Sequence, residues 1–187
     1  MKKIFQKINT SNISKRLQNT KQNFKDKINT VVSGKKSQKS DLQLYLEEAT
    51  KQNGNIVPVK LLDTIVQYSY EGENITEIVE FFATLIDRKI YSANSMIRAL
   101  IVIEYLLKHG PSEFKEELFQ YKDILDNLFN YKQGQNKDKQ ELIQKKSQFI
   151  NRLLTEKQLL QKEKQIAMEI KHKMKQDQAQ LRINKFF

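Results

Sequence analysis

From residue 41 onward, apolar side chains return every three or four positions, the spacing that places them on one face of an α-helix. Nowhere do apolar and polar residues alternate between hairpin turns as they would in strands. Asp41 is the expected N-cap of a first helix to about Lys51, carrying Leu42, Leu44, Tyr45, Leu46 and Ala49. After the loop Asn53-Gly54-Asn55, Pro58 suits the first turn of a second helix with Leu61, Leu62, Ile65, Val66 and Tyr68. Glu71-Gly72-Glu73-Asn74 reads as the break before a third, marked by Ile75, Ile78, Val79, Phe82, Leu85 and Ile86. Ser92 caps a fourth, which is apolar nearly all round from Met96 to Leu107, as a central buried helix should be, and Gly110-Pro111 ends it. Two shorter helices are predicted near 112–120 and 122–131, then a polar loop from Gln133 to Asp138 and a helix over about 139–154. The last segment, 156–182, carries a sparse stripe of Leu159, Leu160, Ile166, Ile170 and Met174. It should pack with its first half and fray afterwards, and the stripe is too irregular for a coiled coil.

Five glycines and two prolines in 187 residues leave few breaks, so helices joined by short links stack as antiparallel neighbours. The predicted fold class is all-α: a right-handed superhelix of about seven to eight helices, preceded by a basic amphipathic N-terminal helix. Three regions are expected: a leader and linker over 1–40, a helical domain over 41–166, and a charged helical extension over 167–187. No repeat of fixed period appears.

Charge changes this picture. Residues 1–40 hold 11 Lys/Arg against one acid, Asp26, whereas residues 41–187 hold 22 Lys/Arg against 21 acids. A near-neutral body with a strongly basic leader is an electrostatic device aimed at an anionic surface, either lipid or nucleic acid. On a helix, Met1, Ile4, Phe5 and Ile8 share one face, rimmed by Lys2, Lys3 and Lys7, which is the pattern of a helix lying in the lipid interface. A second stripe, Ile13, Leu17, Phe24, Ile28 and Val31, is ringed by Lys15, Arg16, Lys21, Lys25 and Lys27. Full burial of Ile4, Phe5 and Ile8 would yield at most about 1.5–3 kcal/mol each. Each lysine near an anionic leaflet adds about 1 kcal/mol. Ordering the leader costs about 1–2 kcal/mol per residue, so binding should be reversible. The plainer alternative is that this helix packs on the body.

Other chemistry is sparse. With no cysteine there is no disulfide, thiolate metal site or Cys nucleophile. His109 and His172 stand in no ligand spacing, no phosphate-cradling glycine loop occurs, and the pairs Glu47-Glu48 and Glu116-Glu117 point to different helix faces. No enzyme, no cofactor and no metal site are expected. Glu104 in the central helix should find a polar partner, because burying it unpaired is costly. No apolar run reaches the roughly 18 residues of a membrane span, and no secretory signal is visible. A nucleic-acid binder stays open as an alternative, although Phe5 and Phe24 are the leader's only aromatics for stacking and no base-reading motif is present.

Three stretches resemble the epsin N-terminal homology (ENTH) domain, a helical superhelix of clathrin-linked adaptors and a relative of the ANTH and VHS modules. They are Glu48-Ala49-Thr50 followed by Pro58, the run Arg98-Ala99-Leu100 through Glu104-Tyr105-Leu106-Leu107 to Gly110, and Lys145-Lys146-Ser147 through Leu153-Leu154. Met1-Lys2-Lys3-Ile4-Phe5 also resembles the start of some members. The resemblance implies a phosphoinositide-binding adaptor module for endocytosis or Golgi–endosome transport. Its leader would fold around a headgroup and insert into the leaflet. On that reading Lys2, Lys3, Lys7, Lys15, Arg16, Arg88 and Lys89 bind the lipid headgroup, and Ile4, Phe5 and Ile8 enter the membrane.

The implied partners are anionic membrane and, through regions absent from this chain, clathrin or adaptor complexes. No nucleic acid is expected, and the chain should be a monomer. The implied location is peripheral, on plasma membrane, Golgi/endosomes or clathrin-coated vesicles. The chain departs from the family's headgroup pocket: Glu47, Gln52, Leu85, Tyr91 and Ser95 stand where the family has Arg, Asn, Arg, Lys and His. The leader should therefore carry most of the affinity. A VHS-like protein-interaction scaffold without lipid binding is the alternative within the superfamily. Leu61-Leu62-Asp63-Thr64-Ile65 looks like a clathrin-box peptide but falls inside a predicted helix, as core.

Overall fold

A computed structural model describes residues 39–51, 56–87, 92–132 and 136–183, with side chains to residue 177. Among them are eight α-helices, one 3-10 turn and no strand. The helices are α1 (Asp41–Thr50), α2 (Val59–Ser69), α3 (Gly72–Asp87), α4 (Ala93–His109), α5 (Ser112–Phe119), α6 (Lys122–Asp126), α7 (Lys137–Thr155) and α8 (Lys157–Ile183). Sequential helices lie side by side, and α4 runs through the middle, packed against α1, α2, α3, α5, α7 and α8. The right-handed superhelix expected from short links is the fold observed.

The central place of α4 follows from its composition. Met96, Ile97, Ala99, Leu100, Val102, Ile103, Leu106 and Leu107 are all buried, so apolar side chains face neighbours in most directions. Ser92 starts it as expected, its Oγ accepting the Ser95 N–H at 3.2 Å. Gly110 ends it, for a reason other than a left-handed turn. Its φ is −87°, and its N–H donates to the Leu106 carbonyl at 2.8 Å. A Cβ there would lie 2.6 Å from the Leu106 carbonyl oxygen and 3.3 Å from Ser69 Oγ, so the site requires a residue without one.

Several boundaries differ from the sequence expectation. The N-cap of α1 is Ser40, which accepts the Gln43 N–H at 3.1 Å, and Asp41 is the first helical residue. Its carboxylate still suits the positive end of the helix dipole. Pro58 precedes α2 rather than opening it, its carbonyl accepting from the Leu61 and Leu62 N–H groups. The predicted break at 71–74 contracts to Tyr70-Glu71. Asn74, already helical, donates from its side chain to the Tyr68 carbonyl at 3.1 Å and to Glu71, tying α2 to α3. Helix α7 begins earlier than predicted because Asn136 caps it, accepting the Lys139 N–H at 3.0 Å.

The helix expected over 122–131 is α6 followed by a 3-10 turn, Asn127–Asn130. Leu125, Leu128 and Tyr131 are buried at three-residue steps, and a helix with three residues per turn stacks that spacing on one side.

Only Glu156 separates α7 from α8. At that corner the chain turns, and α8 lies back across α4 until Lys171 reaches Asp63 on α2. Apart from these ends the core is one contiguous apolar cluster drawn from α1 to α8.

Candidate functional site

Each site residue expected from the sequence lies outside the described residues: Lys2, Lys3, Lys7, Lys15 and Arg16, the wedge Ile4, Phe5 and Ile8, and Arg88 and Lys89. Of the body positions aligned with the headgroup pocket, Glu47, Leu85 and Ser95 are described. Leu85 and Ser95 are each 2 % exposed, Leu85 in the core and Ser95 with its hydroxyl 3.3 Å from that of Ser92. Neither presents a group to an anion. The Glu47 carboxylate accepts from Lys39 Nζ at 2.7 and 2.8 Å, so its negative charge is met by the last lysine of the leader. Beside it the Ser40 hydroxyl donates to Glu77 at 3.4 Å. The leader therefore joins the body on a surface that carries carboxylates.

The sequence reading assigned no role to Arg98, although it opens the strongest family stretch. This side chain is 4 % exposed. Its guanidinium donates from Nε to the Ala49 carbonyl at 2.8 Å, from Nη1 to Ile56 at 2.5 Å, and from Nη2 to Glu48 at 3.3 Å. The carbonyls at the end of α1 carry the negative end of its dipole, and the Glu48 carbonyl also accepts the Lys51 N–H at 3.3 Å, so a fixed cationic fork fits there. Arg98 thus joins Glu48-Ala49-Thr50 to α4, and it sets the start of the α1–α2 connection. That these two family stretches meet through one side chain was not readable from either alone.

A belt of ion pairs crosses α4. Glu104 accepts from Lys108 Nζ and Lys146 Nζ, each at 2.9 Å, linking α4 to α7. Lys108 Nζ is also 2.8 Å from Glu163 on α8, and it stands 5.2 Å from the centre of the Phe149 ring. Burial alone would raise the Glu104 carboxyl, but its two lysine donors outweigh it and hold the group below the usual carboxylate range. Burial likewise tends to lower the Lys108 ammonium, while Glu163 and Glu104 raise it above the usual lysine value. Glu104 thus finds the partners its position requires.

One turn along, Asp63 accepts from the Tyr105 hydroxyl at 2.9 Å and from Lys171 Nζ at 2.7 Å. Burial and the Asp63 acceptor push the Tyr105 phenol up. His109 stacks on Tyr105 with ring centres 4.1 Å apart. Burial, then the nearby Lys171 charge, lower its imidazole against a smaller opposing effect of Asp63. Each carboxylate of the belt is met by lysine, so the arrangement clamps helices together. Leu62 and Ile65 are buried, which puts the clathrin-box-like run in the core.

Between α2, α4 and the second half of α8 runs an open groove of about 550 Å³, lined by Val59, Ile101, Tyr105, Ile166, Ile170 and Met174, with Lys175 at its edge. Among the described residues no group of three or more His, Cys, Asp or Glu could hold a metal ion, and no helix is long and apolar enough to cross a membrane.

The family model of the ENTH domain matches residues 39–160. Solved structures agree on the fold. The endocytic adaptor complex AENTH is 19 % identical with a TM-score of 0.62, over 78 % of this chain and 98 % of that one. The human epsinR ENTH domain is 18 % identical with a TM-score of 0.61, over 70 % of this chain and 98 % of that one. The ENTH domain of epsin-2, solved in complex with phosphatidylinositol 4,5-bisphosphate, is 17 % identical with a TM-score of 0.56, over 72 % and 96 %. No curated protein matches the sequence. With the family model spanning most of the chain and the superhelix, the α1 stretch and the Arg98–Gly110 run all in place, this chain belongs to the ENTH domain family.

Proposed function

We propose that the chain is a peripheral membrane-binding adaptor module of vesicle trafficking, in which the basic leader supplies both the headgroup contacts and the inserted wedge. The observation that carries this reading is the distribution of charge in an ENTH-family chain. The leader holds 11 Lys/Arg and one acid, and the body positions aligned with the family's pocket offer a paired Glu47 and the buried Leu85 and Ser95. An anion has little to bind on that part of the body, so the leader's Lys2, Lys3, Lys7, Lys15 and Arg16 become the headgroup ligands, together with Arg88 and Lys89. Ile4, Phe5 and Ile8 enter the leaflet. Electrostatic attraction brings the leader to the surface, and burial of the wedge supplies the part that salt does not screen. The complex of epsin-2 with a phosphoinositide supports the choice of lipid class.

The test is co-sedimentation of the full chain with vesicles that contain or lack phosphoinositide, across a salt series, with random duplex DNA as the control. Ile4→Glu or Phe5→Glu is expected to abolish sedimentation with little change in melting temperature. A drop of several degrees would place the leader against the body instead, and a preference for DNA that salt removes entirely would make the basic leader a nucleic-acid element.

A further inference from the structure

We propose that the groove beneath the second half of α8 is a docking site for an acidic amphipathic helix of a partner protein. The proposal is independent of the leader's role at the membrane.

Helix α8 is held to the body by apolar contact at its start, where Leu159 and Leu160 meet the core, and by ion pairs further along. Leu160 and Ala167 are its buried apolar side chains among those described, and Lys108–Glu163 and Lys171–Asp63 fasten it on either side of Ala167. From Ile166 onward the inner face of α8 still carries an apolar stripe, Ile166, Ile170 and Met174, at four-residue steps. Those side chains are 38 %, 55 % and 50 % exposed although they point toward α2 and α4. Val59 on α2 faces them and is 54 % exposed. Four of the ten large apolar side chains exposed among the described residues thus gather around one groove. A concentrated patch of this kind marks an interaction surface, whereas scattered apolar residues do not. Met174 at one end can adapt to whatever fills it.

The length of the groove points to a helix as occupant. Glu163 and Lys175 both line it, and the twelve residues of rise between them amount to about 18 Å, three or so turns. That span accepts side chains spaced i, i+4 and i+7 from one face of a helix laid along it.

Charge sets the sign of the partner. The groove is lined by the carboxylates Asp63, Glu104 and Glu163, and each is engaged by a lysine. Lys175 lines it with no carboxylate partner among the described residues, and exposed Lys60, next to Val59 on α2, has none either. Helix α8 carries seven Lys/Arg against three acids. An acidic helix meets Lys175 in the groove, with exposed Lys60 one residue along α2 from Val59, and a basic one meets repulsion without relief.

The experiment titrates the full chain, methyl-labelled on Ile and Met, with a peptide of about 18 residues built from Glu and Ala with leucines alternately four and three apart. Its twin carries Lys for Glu. The acidic peptide is expected to shift the Ile166, Ile170 and Met174 signals saturably, and the basic twin to leave them unmoved. Ile170→Asp should weaken the acidic peptide about tenfold or more, as loss of a central anchor does. Lys60→Glu with Lys175→Glu should also weaken it. All these sites are exposed, so an unchanged melting temperature verifies the fold. Ile170→Asp should leave sedimentation with phosphoinositide vesicles unchanged. Three results would overturn the proposal: no methyl shift at millimolar acidic peptide, equal binding of both peptides, or phosphatidylserine vesicles that move the same methyls and displace the peptide. The last would make the groove a lipid contact, whether or not the leader also inserts.

Discussion

Arg98 shows how one buried charge can belong to architecture. Its guanidinium serves the carbonyls of Glu48, Ala49 and Ile56 from within α4. Each buried acceptor left without its donor costs about 1–3 kcal/mol. The Ala49 bond is the buried one of the three, so Arg98→Ala should lose about 1–3 kcal/mol in urea unfolding, and Arg98→Lys should recover part, because an ammonium cannot span the same fork. A loss below 1 kcal/mol for Arg98→Ala would show that water replaces the guanidinium easily.

His109 sets a pH limit. Burial and the charges of Lys171 and Lys108 hold its imidazole below the ordinary value of 6.5, with Asp63 opposing. The unfolded chain then binds the proton more readily. The contribution of His109 to stability is fully present above pH 6.5 and is lost as pH falls through the lower folded value. Glu104 and Asp63, both held below their ordinary values, extend the loss below about pH 4.5 and 3.8. Unfolding free energy should decline from pH 7.5 to 5.5 in the parent chain and less in His109→Gln. Parallel pH profiles would remove His109 from the account.

At the scale of elements, the unequal hold on α8 has consequences. Lys108 is 18 % exposed in its side chain and shared by Glu104 and Glu163, whereas Lys171 and Asp63 are 42 % and 34 % exposed. Solvent screens the second pair, which is worth about 1 kcal/mol or less. Lys108→Met leaves Glu163 without its lysine and should cost about 1–3 kcal/mol. Lys171→Met should barely change global stability but speed amide exchange in the second half of α8, with α4 unaffected. Uniform acceleration across α4 and α8 would mean that the Asp63 contact holds the whole fold. The short helices teach a related lesson: 122–131 read as one helix from the sequence, whereas the chain forms α6 and then a 3-10 turn over Asn127–Asn130 with Leu128 buried in it.

For the whole molecule, the proposed membrane role would separate binding from folding along the division of charge between leader and body. Adding phosphoinositide vesicles to the full chain should raise the helical signal in circular dichroism, as a leader with the Ile4, Phe5 and Ile8 face gains order. The gain should persist in part at high salt, because the wedge is not screened. No gain at any salt would rule out a leader that folds on binding. The near-neutral body is expected to keep its melting temperature through that change, since among the described residues its apolar cluster is drawn from α1 to α8 and their connections.

Much of this architecture was legible in the chain. Three- and four-residue apolar steps, scarce glycine and proline, and Ser92 and Gly110 around α4 suffice to specify helices and their order, because burying a face requires that periodicity whatever the face meets. The basic leader was equally plain, as charge is a property of composition. Tertiary structure alone decided what the polar groups do. Arg98 looked like part of a motif until the end of α1 was placed against it, and Glu104 needed α7 beside it to be satisfied. The sparse apolar stripe of α8 reads as one that packs with its first half; the turn at Glu156 and the reach of Lys171 to Asp63 decide that Ile166, Ile170 and Met174 line an open groove against α2 and α4. Periodicity depends on neighbours in sequence, whereas pairing and exposure depend on groups brought together from 42 to 108 positions away.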